Sequence, residues 1–358
     1  MRRLAQIALF VVVALFLSCS DNSVVRHTEP LYTPRYAKGF SVERDTTTGE
    51  KLLCIRNPWQ GASDIVFYTE IDSLSPPKRI VAMSSSHAAM LDAIGAVDRV
   101  VGVSGKEYII NSAIVANDAV VDVGYDSNLD YEALVALRPD VVLMYGVTAE
   151  NSAVTQKLRE LRIPYLYLGD YTEQSPLGKA EWVVAVSEIV GCRERGEEVF
   201  AAIAERYAAV RRGVVAEYRP KVMLNLPYQD VWYMPSDDSY MVQLVEDAGG
   251  DYIYKGKNPA GGSKGISLEE AYMLVSEADV WLNVGQCSTM NELRSSAPHF
   301  AHTDVVLSGE VYNNNRRRSE GGGSDFWESA IVQPDVVLRD LVTILQGGKE
   351  ELYYHHKL

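Results

Sequence analysis

A regular alternation of strand-like and helix-like segments along two stretches constrains this chain more than any other feature. In the first stretch, the strand-like runs are residues 79–83, 100–103, 120–123, 140–144 and 165–168, and the helical segments include 86–96, 131–137 and 150–162. After Pro220 the alternation resumes, with strands at 221–226, 231–234 and 279–284 and helices at 240–248, 268–276 and 326–345. Because parallel strands need a crossover that is usually helical, this pattern predicts an α/β fold with parallel or mostly parallel sheets.

The segment between the two stretches, residues 176–218, carries no strand signal. Residues 193–217 are rich in Ala, Glu and Arg, and their apolar residues recur at helical spacing. We therefore expect two Rossmann-like α/β lobes, residues 76–175 and 219–348, joined by a linker that contains one long spine helix.

A different pattern precedes the first lobe. Three short strand-like runs, within residues 39–42, 51–55 and 65–68, are separated by turn residues such as Thr48-Gly49 and Asn57-Pro58. This spacing predicts a small β-meander over residues 39–75. The pattern assigns no role to the Trp59-Gln60-Gly61 segment inside this meander.

The N-terminus has the features of an export signal. Arg2 and Arg3 precede an apolar run, residues 5–17, which is shorter than the roughly 20 residues of a membrane span and fits a signal peptide. Ser18-Cys19 follows it, and this arrangement resembles a bacterial lipobox. We therefore expect residues 1–19 to be a lipoprotein signal, Cys19 to be lipidated, and residues 20–38 to form a polar tether.

Charge and cysteine content narrow the function further. The net charge of −14 argues against nucleic-acid binding and against an anionic membrane surface, because both need clustered Lys and Arg. Cys54, Cys192 and Cys287 have no spacing that implies a disulfide, so we expect unpaired, mostly buried thiols.

Several motifs of the first lobe resemble the opening of the class III periplasmic binding proteins, which carry ferric siderophores, haem and cobalamin. The matching segments are 77–84, 91–95, 100–104 and, most specifically, Asn-Leu-Asp-Tyr-Glu-Ala-Leu-Val-Ala-Leu-Arg-Pro-Asp-Val-Val at 128–142. The resemblance runs from about Pro76 to Leu345. It implies a monomeric, lipid-anchored periplasmic binding protein without catalytic activity or cofactor, which delivers a metal chelate or a corrinoid to an ABC permease dimer and its ATPase.

Each lobe offers one glutamate in the first turn of a corresponding helix. Asp130 and Ser267 can cap these helices, and Glu132 and Glu269 each follow two residues later. An acid at this position also stabilises the helix dipole, so the residues alone leave two interpretations open. In the class III periplasmic binding proteins, which this chain resembles, one glutamate on each lobe pairs with arginines of the permease. Glu132 and Glu269 stand at the matching positions.

The resemblance also suggests ligand contacts at strand ends and loops between the lobes. The candidates are Lys106, Tyr125 and Tyr145 in the first lobe and Tyr228, Trp232 and Arg316, the first of the arginines 316–318, in the second. Aromatic rings suit a porphyrin, a corrin or a catecholate, and arginine suits carboxylates. Each of these aromatics could equally be a core residue, and the arginines could be a solvated loop.

The candidate residues leave the ligand open. Lys106 and the arginines favour an anionic ferric chelate, whereas Tyr125, Tyr145 or His87 could ligate haem iron; cobalamin is the alternative. An enzyme is disfavoured because the chain lacks a phosphate-binding Gly-x-x-x-x-Gly-Lys motif and His-Glu-x-x-His, and its one Gly-x-Ser-x-Gly match, residues 261–265, lies in a glycine-rich loop and does not have the strand-turn-helix context of a nucleophile elbow. A zinc or manganese carrier would need three or four converging ligands, which the sequence does not suggest.

Overall fold

The computed structural model describes residues 26–71, 75–215 and 217–358. Its N-terminal sheet consists of β1 (Thr28–Tyr32), β2 (Phe40–Asp45), β3 (Lys51–Arg56) and β4 (Val66–Glu70), paired antiparallel in that order. Strands β2 to β4 are the meander that the sequence predicts. Strand β1 corrects the expectation of a polar tether over residues 20–38, because it lies inside that segment.

A buried carboxylate of the linker holds this N-terminal segment in place. Glu181 accepts hydrogen bonds from the backbone N–H groups of Arg35, Tyr36 and Ala37 and from the hydroxyl of Tyr32, at 2.6–2.8 Å. These partners lie about 145 residues away along the chain, so local sequence gives no sign of them. Three backbone N–H groups and one hydroxyl of this segment are therefore held by a single carboxylate of the linker.

The first lobe contains a parallel five-stranded sheet in the order β11-β10-β5-β6-β7. Its elements are β5 (Ile80–Ala82), α1 (Ser85–Ala93), β6 (Val100–Val103), α2 (Ser112–Val115), β7 (Val121–Asp122), β8 (Gly124–Tyr125), β9 (Asn128–Leu129), α3 (Tyr131–Leu137), β10 (Val141–Tyr145), α4 (Ser152–Leu161) and β11 (Tyr165–Leu168). The central strands are apolar on both faces because helices cover both.

The linker consists of two helices instead of one long helix. α5 (Pro176–Ile189) and α6 (Arg193–Arg212) pack against each other, and α6 occupies most of the expected spine. α5 is buried along almost its whole length and contacts α1 of the first lobe as well as helices of the second. A helix that is buried all round lacks a polar face, so its helical period is weak in the sequence.

The second lobe repeats the architecture with the sheet order β14-β12-β16-β17-β18. Its elements are β12 (Lys221–Leu224), β13 (Val231–Met234), α7 (Tyr240–Asp247), β14 (Asp251–Tyr252), β15 (Lys264–Ser267), α8 (Leu268–Ser276), β16 (Val280–Leu282), α9 (Met290–Ser296), α10 (Asp304–Leu307), β17 (Val311–Asn313), α11 (Pro334–Leu345) and β18 (His356–Lys357). The first four strands are parallel, and β18 joins β17 antiparallel.

Three features of this lobe differ from the expectation. Strand β13 pairs with β15 in a separate antiparallel hairpin and stays outside the main sheet. The expected helix 326–345 is interrupted: single 3₁₀ turns at Asp325–Trp327 and Ser329–Val332 precede α11, which starts at Pro334 because proline has no N–H to continue a helix from upstream. Strand β18 carries the lobe past residue 348.

The described residues leave Cys54, Cys192 and Cys287 as free thiols, and Cys54 and Cys287 are buried. Within the same ranges, no helix has both the length and the apolar character needed to cross a membrane.

Candidate functional site

A cavity of about 290 Å³ lies between the two lobes. The first lobe contributes the carboxyl ends of β5, β10 and β11, the linker contributes the first turn of α5, and the second lobe contributes α7, α11 and the 3₁₀ turns before α11. Ligands of open α/β sheets commonly bind at the carboxyl ends of the strands. The cavity is therefore where this architecture would hold a ligand.

The cavity wall is rich in aromatic side chains. Five aromatic side chains line it: Tyr145, Tyr171, Tyr240, Phe326 and Trp327. Trp327 is 60% exposed although it is a large apolar residue, and it packs edge-to-face on Phe326 with ring centroids 5.0 Å apart. Burial is the main cause that raises the pKa of both Tyr145 and Tyr240, so both phenols are protonated at neutral pH. Such a wall can stack against a flat, largely apolar ligand.

A hydrogen-bonded polar cluster forms the floor of the cavity. The Ser86 hydroxyl donates to Asp170 Oδ2 at 3.1 Å, Ser84 and Ser86 share a 2.8 Å hydrogen bond, and His87 Nε2 lies 3.3 Å from Asp170 Oδ1. Burial would raise the pKa of Asp170, but hydrogen bonds from His87 and Ser86 and the charge of Lys179 hold it below its usual value. Asp170 therefore stays ionised at the floor.

Lys179, in the first turn of α5, supplies the positively charged group of the cavity lining. Its Nζ donates to the backbone oxygen of Asp170 at 2.9 Å and lies 4.9 Å from the ring centroid of Tyr240 and 5.9 Å from that of Tyr171. Burial lowers the pKa of Lys179, whereas Asp170 and Glu173 oppose that shift. An ammonium has three N–H donors, so this group can also bind an anionic group of a ligand.

Among the ligand contacts expected in the first lobe, the structure brings Tyr145 to the cavity and leaves the others outside it. Lys106 donates to the backbone oxygens of Asn117 and Val120 at 2.8 and 2.9 Å, which ties it to its own loop. Tyr125 packs on Tyr108 at 6.3 Å, away from the cavity lining. His87 is fully buried behind the floor, so the expectation that it could ligate haem iron is wrong.

The second-lobe candidates lie outside the cavity lining. Trp232 is a core residue, fully buried against Trp281 and Phe300, and its Nε1 donates to the backbone oxygen of Leu224 at 2.9 Å. Tyr228 is 69% exposed in the turn before β13, a strand of the separate hairpin. Arg316 bonds to Leu352 and Glu351 of the C-terminal segment, so its guanidinium is used within the lobe.

The second lobe lines the cavity with helices and turns rather than strand ends, and the sequence pattern did not predict these residues as ligand contacts. The adjacent aromatics Phe326 and Trp327 follow the glycines 321–323, and that pairing is the signal that could have found them. Lys179 is the only cation in the sequence of α5. A single cation in an otherwise apolar and acidic helix between two lobes is a second usable signal.

Comparison with known proteins now identifies the family. A family model described as periplasmic binding protein matches residues 80–314. The chain belongs to this family.

Solved structures of other periplasmic binding proteins share the fold. The haem-binding protein RhuT from Roseiflexus sp. RS-1 is 19% identical, with a TM-score of 0.58 over 75% of this chain and 98% of its own. The vitamin B12 binding protein BtuF of Vibrio cholerae is 15% identical, with a TM-score of 0.54 over 77% of this chain and 99% of its own. This similarity supports the two-lobed class III architecture.

An uncharacterized lipoprotein of Methanocaldococcus jannaschii is 26% identical to this periplasmic binding protein over 225 residues, or 62% of this chain. The match spans about half, 51%, of that relative's length. The family model begins at residue 80, so the sheet β1–β4 of this periplasmic binding protein lies outside the matched segment.

The two glutamates expected at a permease interface occupy equivalent places in the two lobes. Glu132 lies in the first turn of α3, capped by Asp130, and Glu269 lies in the first turn of α8, capped by Ser267. Both are exposed. Hydrogen bonds from its own backbone N–H and from the Ser267 hydroxyl lower the pKa of Glu269. Glu269 therefore presents a negative charge at neutral pH.

Proposed function

We propose that this chain is the extracytoplasmic solute-binding protein of an ABC importer and that it captures an iron complex, either haem or a ferric siderophore, in the cavity between its lobes. The observation that carries the proposal is the aromatic wall of that cavity. Tyr145 and Tyr171 come from the first lobe, and Tyr240, Phe326 and Trp327 come from the second. A flat ligand between them contacts both lobes at once, which is how a two-lobed protein couples binding to closure.

The chemistry of the wall suits an iron chelate. Porphyrin and catecholate faces stack on aromatic rings, and tyrosine is an established axial ligand of haem iron, to which its phenol binds after losing its proton. Tyr145, Tyr171 and Tyr240 each place a phenol in the lining. We assign to Lys179 the positive charge that balances the propionates of haem or the oxygens of a catecholate. The arginines 316–318, which the sequence suggested for this role, lie outside the cavity lining.

Delivery to a permease is assigned to Glu132 and Glu269. They are exposed, they lie in equivalent helix turns, and there is one on each lobe. Charge pairs at an interface orient and steer association, and an exposed carboxylate contributes little to folding. This division of roles separates ligand capture from docking.

Membrane attachment is assigned to Cys19, which lies outside the described residues. Its sequence context, a basic start and an apolar run followed by Ser18-Cys19, supports lipidation in a bacterial lipoprotein. A Cys19→Ala variant should leave the membrane fraction while the folded domain stays intact. Retention of that variant in washed membranes would contradict the anchor.

Titration of the purified protein tests the ligand. Ferric haem, a ferric tris-catecholate, a ferric tris-hydroxamate and cobalamin are added separately, and binding is followed by absorbance and by quenching of tryptophan fluorescence, to which the exposed Trp327 contributes. Saturable binding of haem or a ferric siderophore supports the proposal. Preferential binding of cobalamin would replace the ligand with the corrinoid alternative, and binding of none of the four would overturn the proposal.

A further inference from the structure

The N-terminal sheet, which lies outside the segment shared with the family, contacts residues of the cavity lining through the loop 57–65. This loop connects β3 to β4. Its base is closed by two hydrogen bonds: Asn57 N–H donates to the Ile65 oxygen at 2.9 Å, and Ile65 N–H donates to Asn57 Oδ1 at 3.0 Å. These bonds hold the two ends of the loop together.

The tip of the loop is fastened to two segments that line the cavity. The backbone N–H of Gln60 donates to the Val147 oxygen at 3.0 Å, and Gln60 Nε2 donates to the Tyr171 hydroxyl at 3.3 Å. Val147 and Tyr171 both line the cavity and are both substantially exposed, at 46% and 45%. One residue of the N-terminal sheet therefore holds two lining residues that follow different strands, β10 and β11.

Trp59 packs under the same segments. Its ring centroid lies 5.7 Å from that of Tyr167 in β11 and 5.9 Å from that of Phe67 in β4. A Cβ atom on Gly146, between Tyr145 and Val147, would lie 3.1 Å from Trp59 Cε3, and one on Gly169 would lie 3.2 Å from the Cα of Pro58. Glycine follows both strands at the points where the loop approaches most closely, so the strand ends and the loop fit each other.

We infer that the loop 57–65 determines which ligands the cavity accepts. Gln60 sets the position of the Tyr171 ring, and Trp59 sets the course of the segment that carries Tyr145 and Val147. Both are positioning residues, since they act through lining residues. The inference rests on the proposed function and deepens it. Residues 145–147 and Tyr171 form one side of the cavity, and the position of this side limits the size of the flat metal chelate that can bind. Loss of the loop contacts widens that side and favours larger chelates.

The first test needs no ligand. Hydrogen exchange is compared by mass spectrometry in peptides covering 145–149 and 169–172, using the wild-type protein, Trp59→Ala and the control Ser63→Ala, a change at an exposed position of the same loop. Trp59→Ala should accelerate exchange in both peptides and Ser63→Ala should not, because locally unsupported segments open more often. Unchanged exchange in Trp59→Ala overturns the inference.

The second test separates positioning from general support. Ferric haem and cobalamin are titrated into the wild-type protein, Gln60→Ala, Tyr171→Phe and the double variant. Both single changes remove the same hydrogen bond, and Tyr171→Phe also removes a phenol from the cavity lining. Gln60→Ala should therefore alter haem affinity by about 2- to 10-fold in the wild-type protein and add little in the Tyr171→Phe background. The ratio of haem to cobalamin affinity should fall in Gln60→Ala. Additive effects, or an unchanged ratio, contradict the role of Gln60.

If the wild-type protein binds neither haem nor cobalamin, these two ligands are excluded from the proposed function. The hydrogen-exchange measurement alone then tests whether the loop supports the cavity lining.

Discussion

The carboxylate of Glu328 in the second lobe accepts the backbone N–H of Asn111 in the first lobe, with Oε1 2.6 Å from the nitrogen. Its other oxygen accepts the N–H of Ile110 at 2.8 Å. Glu328 is only 3% exposed, and it directly follows Phe326 and Trp327 of the cavity wall. One buried acid thus joins the lobes beside the ligand cavity.

This acid should make stability depend on pH. Burial raises the pKa of Glu328 from its ordinary 4.5 to about 7, the two backbone hydrogen bonds oppose the shift, and Asp325 and Asp92 add to it. The folded protein therefore holds this proton more tightly than the unfolded chain. Its contribution to stability falls as pH rises from about 4.5 to about 7, by on the order of 3 kcal/mol, since one pKa unit corresponds to about 1.4 kcal/mol.

Glu328→Gln removes the titrating group. We expect the free energy of unfolding of this variant to change less between about pH 5 and about pH 8 than that of the wild-type protein, as measured by urea denaturation. Glu320→Gln, at an exposed position of the preceding loop, is the matched control and should keep the wild-type pH profile. An identical profile in Glu328→Gln would show that the acid does not titrate in this range.

Glu181→Ala should release the N-terminal segment. The change leaves the N–H groups of Arg35, Tyr36 and Ala37 without their acceptor. The bond from Ala37 is buried and the other two are part-buried, and an unsatisfied buried donor costs about 1–3 kcal/mol. We expect a loss of about 1–3 kcal/mol and rapid limited proteolysis near residues 28–39, with Glu194→Ala on the exposed surface of α6 as the control. Wild-type resistance to proteolysis in Glu181→Ala would contradict the anchoring role.

Lys179→Met should weaken binding of an anionic chelate while it leaves the fold intact. A hydrogen bond to a charged group contributes about 1.5–3 kcal/mol, so we expect affinity for ferric haem to fall by about 10- to 100-fold in an absorbance titration. Lys106→Met is the matched control, because that ammonium bonds to its own loop outside the cavity. Equal losses in the two variants would move the anion site away from Lys179.

The double variant Glu132→Ala, Glu269→Ala should bind ligand and unfold as the wild-type protein does, since both carboxylates are exposed. It should fail to stimulate ATP hydrolysis by the cognate permease–ATPase complex in reconstituted vesicles, because the interface loses both charges. Glu270→Ala, in the same helix turn as Glu269, controls for a general loss of surface charge. Full stimulation by the double variant would refute the docking role.

Local pattern was sufficient for elements whose amphipathic period and capping residues agree. α3 and α8 occupy the predicted ranges 131–137 and 268–276, and Asp130 and Ser267 cap them with hydrogen bonds to the backbone. Strand β11 likewise occupies 165–168. Helix α5 and strand β1 were not found in this way, because the first is buried all round and the second is held by Glu181, a distant acid.

The sequence by itself determined the α/β class, the two lobes and the positions of Glu132 and Glu269, because these depend on residues close together in the chain. Only the tertiary structure decided which side chains meet in the cavity. Lys106 and Arg316 bond to oxygen atoms within their own lobes, Trp232 enters the core, and Lys179 and Trp327 line the space between the lobes. Whether a polar or aromatic side chain lies in the core, at the surface or in the cavity depends on the partners that folding brings near it. The position of the residue in the sequence does not specify those partners.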